Sequence, residues 1–171
     1  DDQRLLSYLA REHHWTPFAH VMVTMRLGMP IFTARQWVKS DVGCVRNDNG
    51  VESEMSRRYV DEPPEFYVQR EYHLRPTGGI KQGSGGVHEK ADDVVEGTKH
   101  FCSATSKLYE GLIEEGVAPE EARMILPQNT MTWIIETGSL AYYARVYKLR
   151  SDHHAQGAIR QLAEAVRAIV E

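Results

Sequence analysis

The spacing of hydrophobic residues along this 171-residue chain switches between a period of two and a helical period. Residues 19–28, AHVMVTMRLG, place Val21, Val23, Met25 and Leu27 at alternate positions. Successive side chains of a strand point to opposite faces, so this alternation predicts a β-strand with one buried face. Aromatic and β-branched residues give strand-like character to two further segments, 65–75 and 130–135.

Other segments repeat apolar residues at the three-to-four-residue spacing of a helix. They are 3–11, 30–40, 89–115, 119–126, 138–150 and the stretch after Ser151. The longest has two sets of apolar residues seven apart, which predicts one apolar seam: Val94, Phe101, Leu108 and Val95, Cys102, Tyr109. The last helix is expected to bury Ile159, Leu162, Ala163, Val166, Ile169 and Val170.

The order of these segments lacks the regular strand–helix alternation of a parallel sheet, so it predicts an α+β fold. Residues 41–53 read as a loop with a turn at Asn49-Gly50, and the glycine-rich residues 76–86 read as a mobile excursion. Neither segment resembles a linker between domains. We therefore expect residues 1–171 to form a single domain.

Composition narrows the possible classes of function. With 42% hydrophobic and 26% charged residues the chain is typical of a globular protein, and its net charge of −4 disfavours a general nucleic-acid binder. Two cysteines provide no disulfide or zinc framework. No apolar run is long enough for a membrane span and no signal-like start is present, so we expect a cytoplasmic protein.

The segment 53–67, SEMSRRYVDEPPEFY, places Arg57 and Arg58 beside Ser56. Guanidinium groups bind phosphate and carboxylate groups through paired hydrogen bonds, so this cluster is a candidate anion site. Other arginines available to it are Arg123 and Arg150. On local sequence alone a salt-bridged surface loop is the better explanation, because several acids are near: Glu54, Asp61, Glu62 and Glu65.

Histidines and glycines provide weaker signals. The histidines at 13–14, 20 and 153–154 follow no metal-binding spacing, so we predict no metal site and favour structural or surface roles. A pair of acid–base histidines stays open, without support from spacing. The glycines of 77–86 match neither the dinucleotide nor the P-loop pattern.

Five segments taken in order resemble the flavin-dependent thymidylate synthases, the ThyX family. They are HHWTPFAH (13–20), MPIFTARQWVKS (29–40), EMSRRYVDEPPEFY (54–67), EEARMILP (120–127) and TGSLAYYARVYKLRSDHHAQ (137–156). The family signature can be written RHRxxSxNExSxR. Its second half is present here as Glu54, Ser56 and Arg58, followed by Tyr59.

The resemblance implies a fold of antiparallel strands with packed helices, assembled as a homotetramer whose active sites are shared between subunits. It implies FAD bound beside a uracil mononucleotide, dUMP or UMP. NADPH is then the reductant, methylenetetrahydrofolate is the one-carbon donor, and a methyl group is added at C5 of the uracil.

The resemblance also assigns residues by position. Arg150 is expected to be catalytic, stabilising negative charge on the uracil. Nucleotide-binding residues would be Gln36, Lys39, Glu54, Met55, Ser56, Arg57, Arg58, Arg123 and Arg150. Flavin-binding residues would be His14, Thr16, Lys39, Ser40, Asp41, Asn47, Glu54, Ser139, Arg145 and His154.

The chain departs from the family signature in two places. Lys39, Ser40 and Asp41 stand where the signature begins Arg-His-Arg, and six extra residues, 48–53, separate Asn47 from Glu54. A UMP methylase of the kind that serves polyoxin-type antibiotic biosynthesis is consistent with these departures. Two other hypotheses stay open: a nucleotide-binding relative without flavin chemistry, and a metal- or histidine-dependent phosphohydrolase.

Overall fold

The computed structural model describes residues 1–44, 53–78 and 83–170. Its α-helices are α1 (Asp2–Arg11), α2 (Thr16–Ala19), α3 (Ile31–Trp37), α4 (Ala91–Glu114), α5 (Pro119–Ala122), α6 (Leu140–Arg150) and α7 (Gly157–Val170). A 3₁₀ turn at Arg123–Ile125 follows α5. The strands are β1 (Met22–Pro30), β2 (Ser53–Glu54) and β3 (Met131–Ser139). This mixture confirms the predicted α+β class.

The three strands form one antiparallel sheet in the order β1-β3-β2. Strand β1 pairs with β3 along its whole length, from Met22 opposite Ser139 to Pro30 opposite Met131. The alternation seen in the sequence is confirmed in the second half of the strand, where Met25 and Leu27 are buried, Thr24 and Arg26 are exposed and Gly28 is half-buried. Val23 is only half-buried, and Val21, which was expected on the same face, precedes the strand and is 50% exposed. The sheet therefore has one face directed into the core.

Helices α3, α6 and α7 cover this buried face. Their buried residues pack with those of the strands in one hydrophobic cluster, which includes Trp37, Tyr142, Tyr143, Val146, Ile159 and Val166. The helices predicted at these three positions are confirmed, although α6 begins at Leu140 because Gly138 and Ser139 still belong to β3. Strand β1 leads directly into α3 at Pro30–Ile31, and β3 leads directly into α6 at Ser139–Leu140.

A buried carboxylate links three of these elements. Glu136 of β3 is 1% exposed, and both its carboxylate oxygens accept hydrogen bonds of 3.1 Å from Trp37 Nε1 of α3. The hydroxyl of Tyr142 in α6 donates to Glu136 Oε1 at 3.0 Å. A buried charged group is stable only where such donors surround it, so this cluster fixes α3 and α6 against the sheet.

Two expectations about buried surfaces need correction. In α4, Cys102 and Tyr109 are buried, but Phe101 and Leu108 are 54% and 56% exposed, so only half of the predicted seam packs within the chain. In α7, Ile169 is 67% exposed although burial was expected. Phe101, Leu108 and Ile169 are large apolar residues on outward faces of their helices. They could be buried only against a surface outside the described part of the chain.

The strand expected at 65–75 is wrong. This segment makes only isolated bridges, Phe66 with Thr130 and His73 with Val87. It reaches the start of β3, where the Met131 N–H donates to Glu65 O and the Tyr67 N–H to Asn129 O, both at 2.8 Å. Its aromatic residues have strand propensity, but only residues 65–67 contact the start of β3, and the rest of the segment forms no ladder with the sheet. The predicted turn at Asn49-Gly50 and part of the glycine-rich segment, 79–82, lie outside the described residues.

None of the described helices has the combination of length and apolar character that crossing a bilayer requires.

A glycine in β3 provides a test of this packing. A Cβ at Gly138 would clash with Cδ1 of the Tyr142 ring, and Tyr142 is 1% exposed. We expect Gly138→Ala to lower the free energy of unfolding by about 1–3 kcal/mol through overpacking. In the matched control, Gly97→Ala within α4, the added methyl meets no atom within 4 Å and should stabilise by about 0.5–1 kcal/mol. Urea unfolding measures both; equal effects of the two substitutions would contradict the packing at β3.

Candidate functional site

The arginine-rich segment lies at the edge of the sheet. The pairing of β2 with β3 continues as the Met55 N–H donates to Trp133 O at 2.9 Å, after which the chain leaves the sheet. The 3₁₀ turn places Arg123 across from it. Together they enclose a cavity of about 380 Å³, called here the arginine cavity. It is lined by Ile31, Glu54, Met55, Ser56, Arg57, Arg58, Arg123, Leu126, Thr130, Met131 and Thr132.

The guanidinium groups of this cavity are held by neutral oxygens. Arg57 Nη1 donates to Glu62 O at 2.9 Å, Arg58 Nε to Ser56 Oγ at 3.0 Å, and Arg123 Nε to Glu120 O at 3.2 Å. In the described part of the chain no carboxylate forms an ion pair with any of these three arginines. The salt-bridged loop considered from the sequence is therefore not what these residues form. Their positive charge is left to bind a ligand anion.

The cavity also offers hydrogen-bond acceptors. Glu54 Oε1 accepts a hydrogen bond of 2.8 Å from the Thr132 hydroxyl, which fixes the carboxylate at the cavity wall. Arg57 Nε is buried and has no partner among the described residues. Cations and a fixed carboxylate side by side suit a ligand with an anionic group and separate O–H or N–H donors, such as a mononucleotide.

A second cavity, called here the Arg150 cavity, lies at the carboxyl end of α6. It has a volume of about 570 Å³ and is lined by Gln36, Gly83, Lys148, Leu149, Arg150, Asp152, His154, Ala155, Gln156 and Ile159. Arg150 Nη2 donates to Gln36 O at 2.9 Å and to Ser40 Oγ at 3.1 Å. Its Nε is buried without a hydrogen-bond partner among the described residues, whereas Nη1 is not buried in this way and forms no hydrogen bond with them, so Nη1 is the donor that faces a ligand.

The wall of the Arg150 cavity is held by an amide pair. Gln36 Nε2 donates to Gln156 Oε1 at 2.6 Å, which joins α3 to the segment before α7. With Lys148 nearby, the cavity combines two cations, amide groups and the apolar side chains of Leu149 and Ile159. This donor set, with Nη1 of Arg150 among it, fits an electron-rich heterocycle, either a pyrimidine or a flavin ring.

Most of the other expected flavin positions lie elsewhere. Ser139 is 4% exposed and serves as the cap of α6, donating to Gly43 O at 3.2 Å and accepting from the Tyr142 N–H at 3.1 Å. Arg145 Nη1 donates to Val42 O at 3.3 Å. Lys39 and Asp41 are exposed on either side of Ser40. Asn47 and positions 48–52 of the extra segment lie outside the described residues, and Ser53 begins β2.

His14 and Thr16 belong to the turn between α1 and α2. The His14 ring stacks on Tyr8 with centroids 6.5 Å apart, and Thr16 is the first residue of α2. Beside this turn lies an apolar cavity of about 450 Å³, lined by Ala10, His13, Trp15, Phe18, Leu140, Ala141 and Ala144. The turn is thus next to a surface suited to a flat apolar ring.

Within one chain the structure therefore groups some of the expected residues and separates others. The nucleotide positions Glu54 to Arg58 and Arg123 share the arginine cavity, whereas Gln36, Arg150 and His154 line the Arg150 cavity. Sequence reasoning missed Thr132 and Gln156, which hold Glu54 and Gln36. Gln156 ends one of the resembling segments, whereas nothing in the strand TMTWII distinguished Thr132.

At the rim of the Arg150 cavity, Asp152, His153 and His154 bring their metal-binding atoms within 4.8 Å of one another. All three are exposed. The Asp152 carboxylate is used locally, since Oδ1 accepts the His154 N–H at 2.8 Å and lies 3.5 Å from His153 Nδ1. That arrangement stabilises the turn that leads from α6 to α7.

The fold is α+β, and the arginine cavity and the Arg150 cavity are both lined by arginine side chains. The sequence model of the family described as "Thymidylate synthase complementing protein" matches residues 1–171, so the chain belongs to this family. It is 34% identical over 171 residues to a flavin-dependent thymidylate synthase of Thermosipho africanus, covering 95% of this chain and 68% of that protein. Proteins of the same name from Thermotoga neapolitana and Wolbachia pipientis are both 33% identical. These cover 98% and 99% of this chain, and 70% and 58% of their own lengths.

Membership confirms the family resemblance seen in the sequence. The expected cofactors agree with it as well, because this family uses FAD, with NADPH as reductant and methylenetetrahydrofolate as carbon donor.

The contribution of Asp152 to the stability of its turn depends on pH, in a direction given by the shift of its pKa. The hydrogen bond from the His154 backbone N–H, aided by the charges of His153 and His154 and opposed by slight desolvation, lowers the pKa of Asp152 below its ordinary value of 3.8. A lowered folded-state pKa stabilises the fold above the ordinary pKa, and this stabilisation is lost as the pH falls through the lowered value. We expect an NMR titration of the Asp152 carboxyl carbon to show a midpoint below 3.8, with the His154 amide proton following it. In Asp152→Asn the His154 signal should lose this transition; a midpoint at or above the ordinary value would contradict the assigned hydrogen bond.

Proposed function

We propose that this protein is an FAD-dependent enzyme that methylates C5 of a uracil mononucleotide, converting dUMP to dTMP. The reductant would be NADPH and the carbon donor methylenetetrahydrofolate. The observation that carries the proposal is the arginine cavity. In a chain that belongs to this family, Ser56, Arg58 and Arg123 converge there, and neither arginine forms an ion pair with a carboxylate of the described residues, although Glu54 lines the same cavity.

In this proposal the arginine cavity binds the nucleotide phosphate. Arg58 and Arg123 each use Nε for a contact within the chain, which directs the guanidinium and leaves both Nη groups without a partner among the described residues. Two such forks provide the paired donors that a phosphate accepts. Ser56 holds Arg58, while Met55 and Arg57 line the same wall. Glu54 would accept from the donors of the nucleotide.

Arg150 would act on the uracil ring. A fixed cation beside N3 and O4 stabilises the negative charge that develops there as C5 becomes nucleophilic. The neutral partners of Arg150, Gln36 O and Ser40 Oγ, leave its full charge for this purpose. Gln36 would complete the nucleotide site from the same cavity.

The division of these residues between two cavities supports an active site shared between subunits. A homotetramer would bring the Arg150 cavity of one subunit to the arginine cavity of another. The exposed apolar residues of the described helices provide surface for such an assembly, among them Leu5, Leu6, Phe101, Leu108 and Ile169.

When bound, FAD supplies the hydride that completes the methyl group. In this chain the residues proposed to hold it are His14, Thr16, Lys39, Asp41, Asn47, Glu54, Ser139, Arg145 and His154. Ser40, which was also expected to contact the flavin, is 1% exposed and accepts a hydrogen bond from Arg150, so it is left out of this set. His14 and Thr16 border an apolar cavity and His154 lines the Arg150 cavity, so a ring and an anionic group could each find suitable surfaces. Ser139 and Arg145 would contribute from the start and the outer side of α6.

UMP is the alternative substrate within this proposal. Its ribose carries a 2′-hydroxyl, which needs an acceptor, and Glu54 is a carboxylate at the wall of the arginine cavity. The departures at residues 39–41 and the extra segment 48–53 lie close in sequence to this site. A role in nucleoside-antibiotic biosynthesis would follow from UMP methylation.

The test is a competition between the two nucleotides. Protein reconstituted with FAD is incubated with NADPH, methylenetetrahydrofolate and equal amounts of dUMP and UMP, and the methylated products are separated by chromatography. We expect dTMP, with bleaching of the flavin absorbance when NADPH is added. Protein that binds dUMP but takes up no FAD would instead be a nucleotide-binding relative. Phosphate release that depends on a divalent metal would indicate a phosphohydrolase.

Removing either cavity arginine should weaken nucleotide binding. Because a hydrogen bond to a charged group contributes about 1.5–3 kcal/mol, Arg58→Ala and Arg123→Ala should each raise the KM for dUMP roughly tenfold or more. The matched control is Arg167→Ala, since Arg167 contacts Tyr147 and Glu164 away from both cavities. Steady-state kinetics measure the effect. Unchanged KM values in both cavity variants would place the phosphate elsewhere.

A further inference from the structure

Ser40 lies beneath Arg150 and is almost fully enclosed, at 1% exposure. It follows the end of α3, where its N–H donates to Trp37 O at 3.0 Å. Its hydroxyl oxygen accepts the hydrogen bond of 3.1 Å from Arg150 Nη2. The side chain therefore contacts the guanidinium and is not among the residues that line the cavity.

The support of Ser40 is rigid. Trp37 is 0% exposed, and its indole N–H is held by both oxygens of the buried Glu136 carboxylate. The carbonyl of Gln36, one residue earlier, accepts the second hydrogen bond of Arg150 Nη2 at 2.9 Å. Both acceptors of the guanidinium thus come from the end of one helix that is fixed in the core.

Two acceptors on a single Nη group determine how the guanidinium is turned. A planar fork fixed at Nη2 has its remaining donors, Nη1 and Nε, in set directions. Neither forms a hydrogen bond with the described residues, and Nε is buried, so Nη1 is the donor that remains for a ligand. An arginine held in this way keeps its charge and presents Nη1 without having to be ordered by the ligand.

We infer that Ser40 is a positioning residue for Arg150, orienting its guanidinium toward the pyrimidine, and is not a direct contact of the cofactor. The inference rests on the proposed function of Arg150. At 1% exposure, and outside the lining of the Arg150 cavity, the Ser40 hydroxyl is not placed to contact a ligand there. The departure from the family signature at position 40 thus falls on a residue that acts through the catalytic arginine.

A double-mutant cycle distinguishes positioning from a general structural role. The affinity for dUMP is measured by titration calorimetry on FAD-reconstituted protein for the wild type, Ser40→Ala, Arg150→Ala and the double variant. Ser40→Ala should weaken dUMP binding about tenfold, as expected for a lost hydrogen bond to a charged group, and should lower kcat. Arg150→Ala should abolish methylation while the assembly, measured by gel filtration, is unchanged. In the Arg150→Ala background, Ser40→Ala should change the affinity less than about twofold.

Thr33→Val is the matched control. Thr33 lies in α3, the helix that ends three residues before Ser40; it is 0% exposed, and its hydroxyl has no partner among the described residues. Removing this hydroxyl should leave dUMP affinity and kcat within about twofold of the wild type. If Ser40→Ala does not fold by circular dichroism, Ser40→Cys, which substitutes a weak acceptor, takes its place in the cycle.

The outcomes separate the two proposals. An active wild type in which Ser40→Ala has no effect, or has the same effect with and without Arg150, overturns the positioning role and leaves the proposed function intact. A wild type that neither binds dUMP nor methylates it overturns the proposed function, and the role of Ser40 falls with it.

Discussion

The buried carboxylate of Glu136 holds together the part of the molecule on which the candidate chemistry depends. It accepts hydrogen bonds from Trp37 at the end of α3 and from Tyr142 in α6, so one group on the central strand fixes two helices. A charged group enclosed in a core is tolerated only with such partners, and the geometry of the three elements is correspondingly restricted. The end of α3 then provides both acceptors that hold Arg150, the last residue of α6.

Both candidate cavities hold their cations by the same physical means. Arg58 and Arg123 donate to a hydroxyl or a main-chain carbonyl, and Arg150 donates to one of each. A neutral acceptor orients a guanidinium without cancelling its charge, whereas a carboxylate partner would compete with the ligand. In a chain with a net charge of −4, these three oriented cations are the groups on which the proposed anion site rests. This agrees with a protein of the flavin-dependent thymidylate synthase family that binds one mononucleotide.

The expectations drawn from the sequence succeeded where local patterns decide the structure. Alternation around Met25 and Leu27 corresponds to a strand because its period matches the pleat, and the spacing in 89–115 corresponds to a long helix. They failed where the environment decides. The aromatic residues of 65–75 have strand propensity but only 65–67 contact the start of β3, and the outer half of the α4 seam remains exposed. Neither outcome can be deduced from a segment alone, because each depends on which surface the segment meets.

The sequence by itself determined the family, the α+β class and the residue types of a candidate anion site. Ordered motifs and hydrophobic periods depend only on the order of residues along the chain. The sequence could not show whether Arg57 and Arg58 pair with the acids around them, since that depends on where each side chain points. Only the tertiary structure separated the arginine cavity from the Arg150 cavity and placed Ser40 beneath Arg150. Those relations join residues as much as 120 positions apart, and hydrogen bonds of about 3 Å between such residues are set by the packing of helices on the sheet.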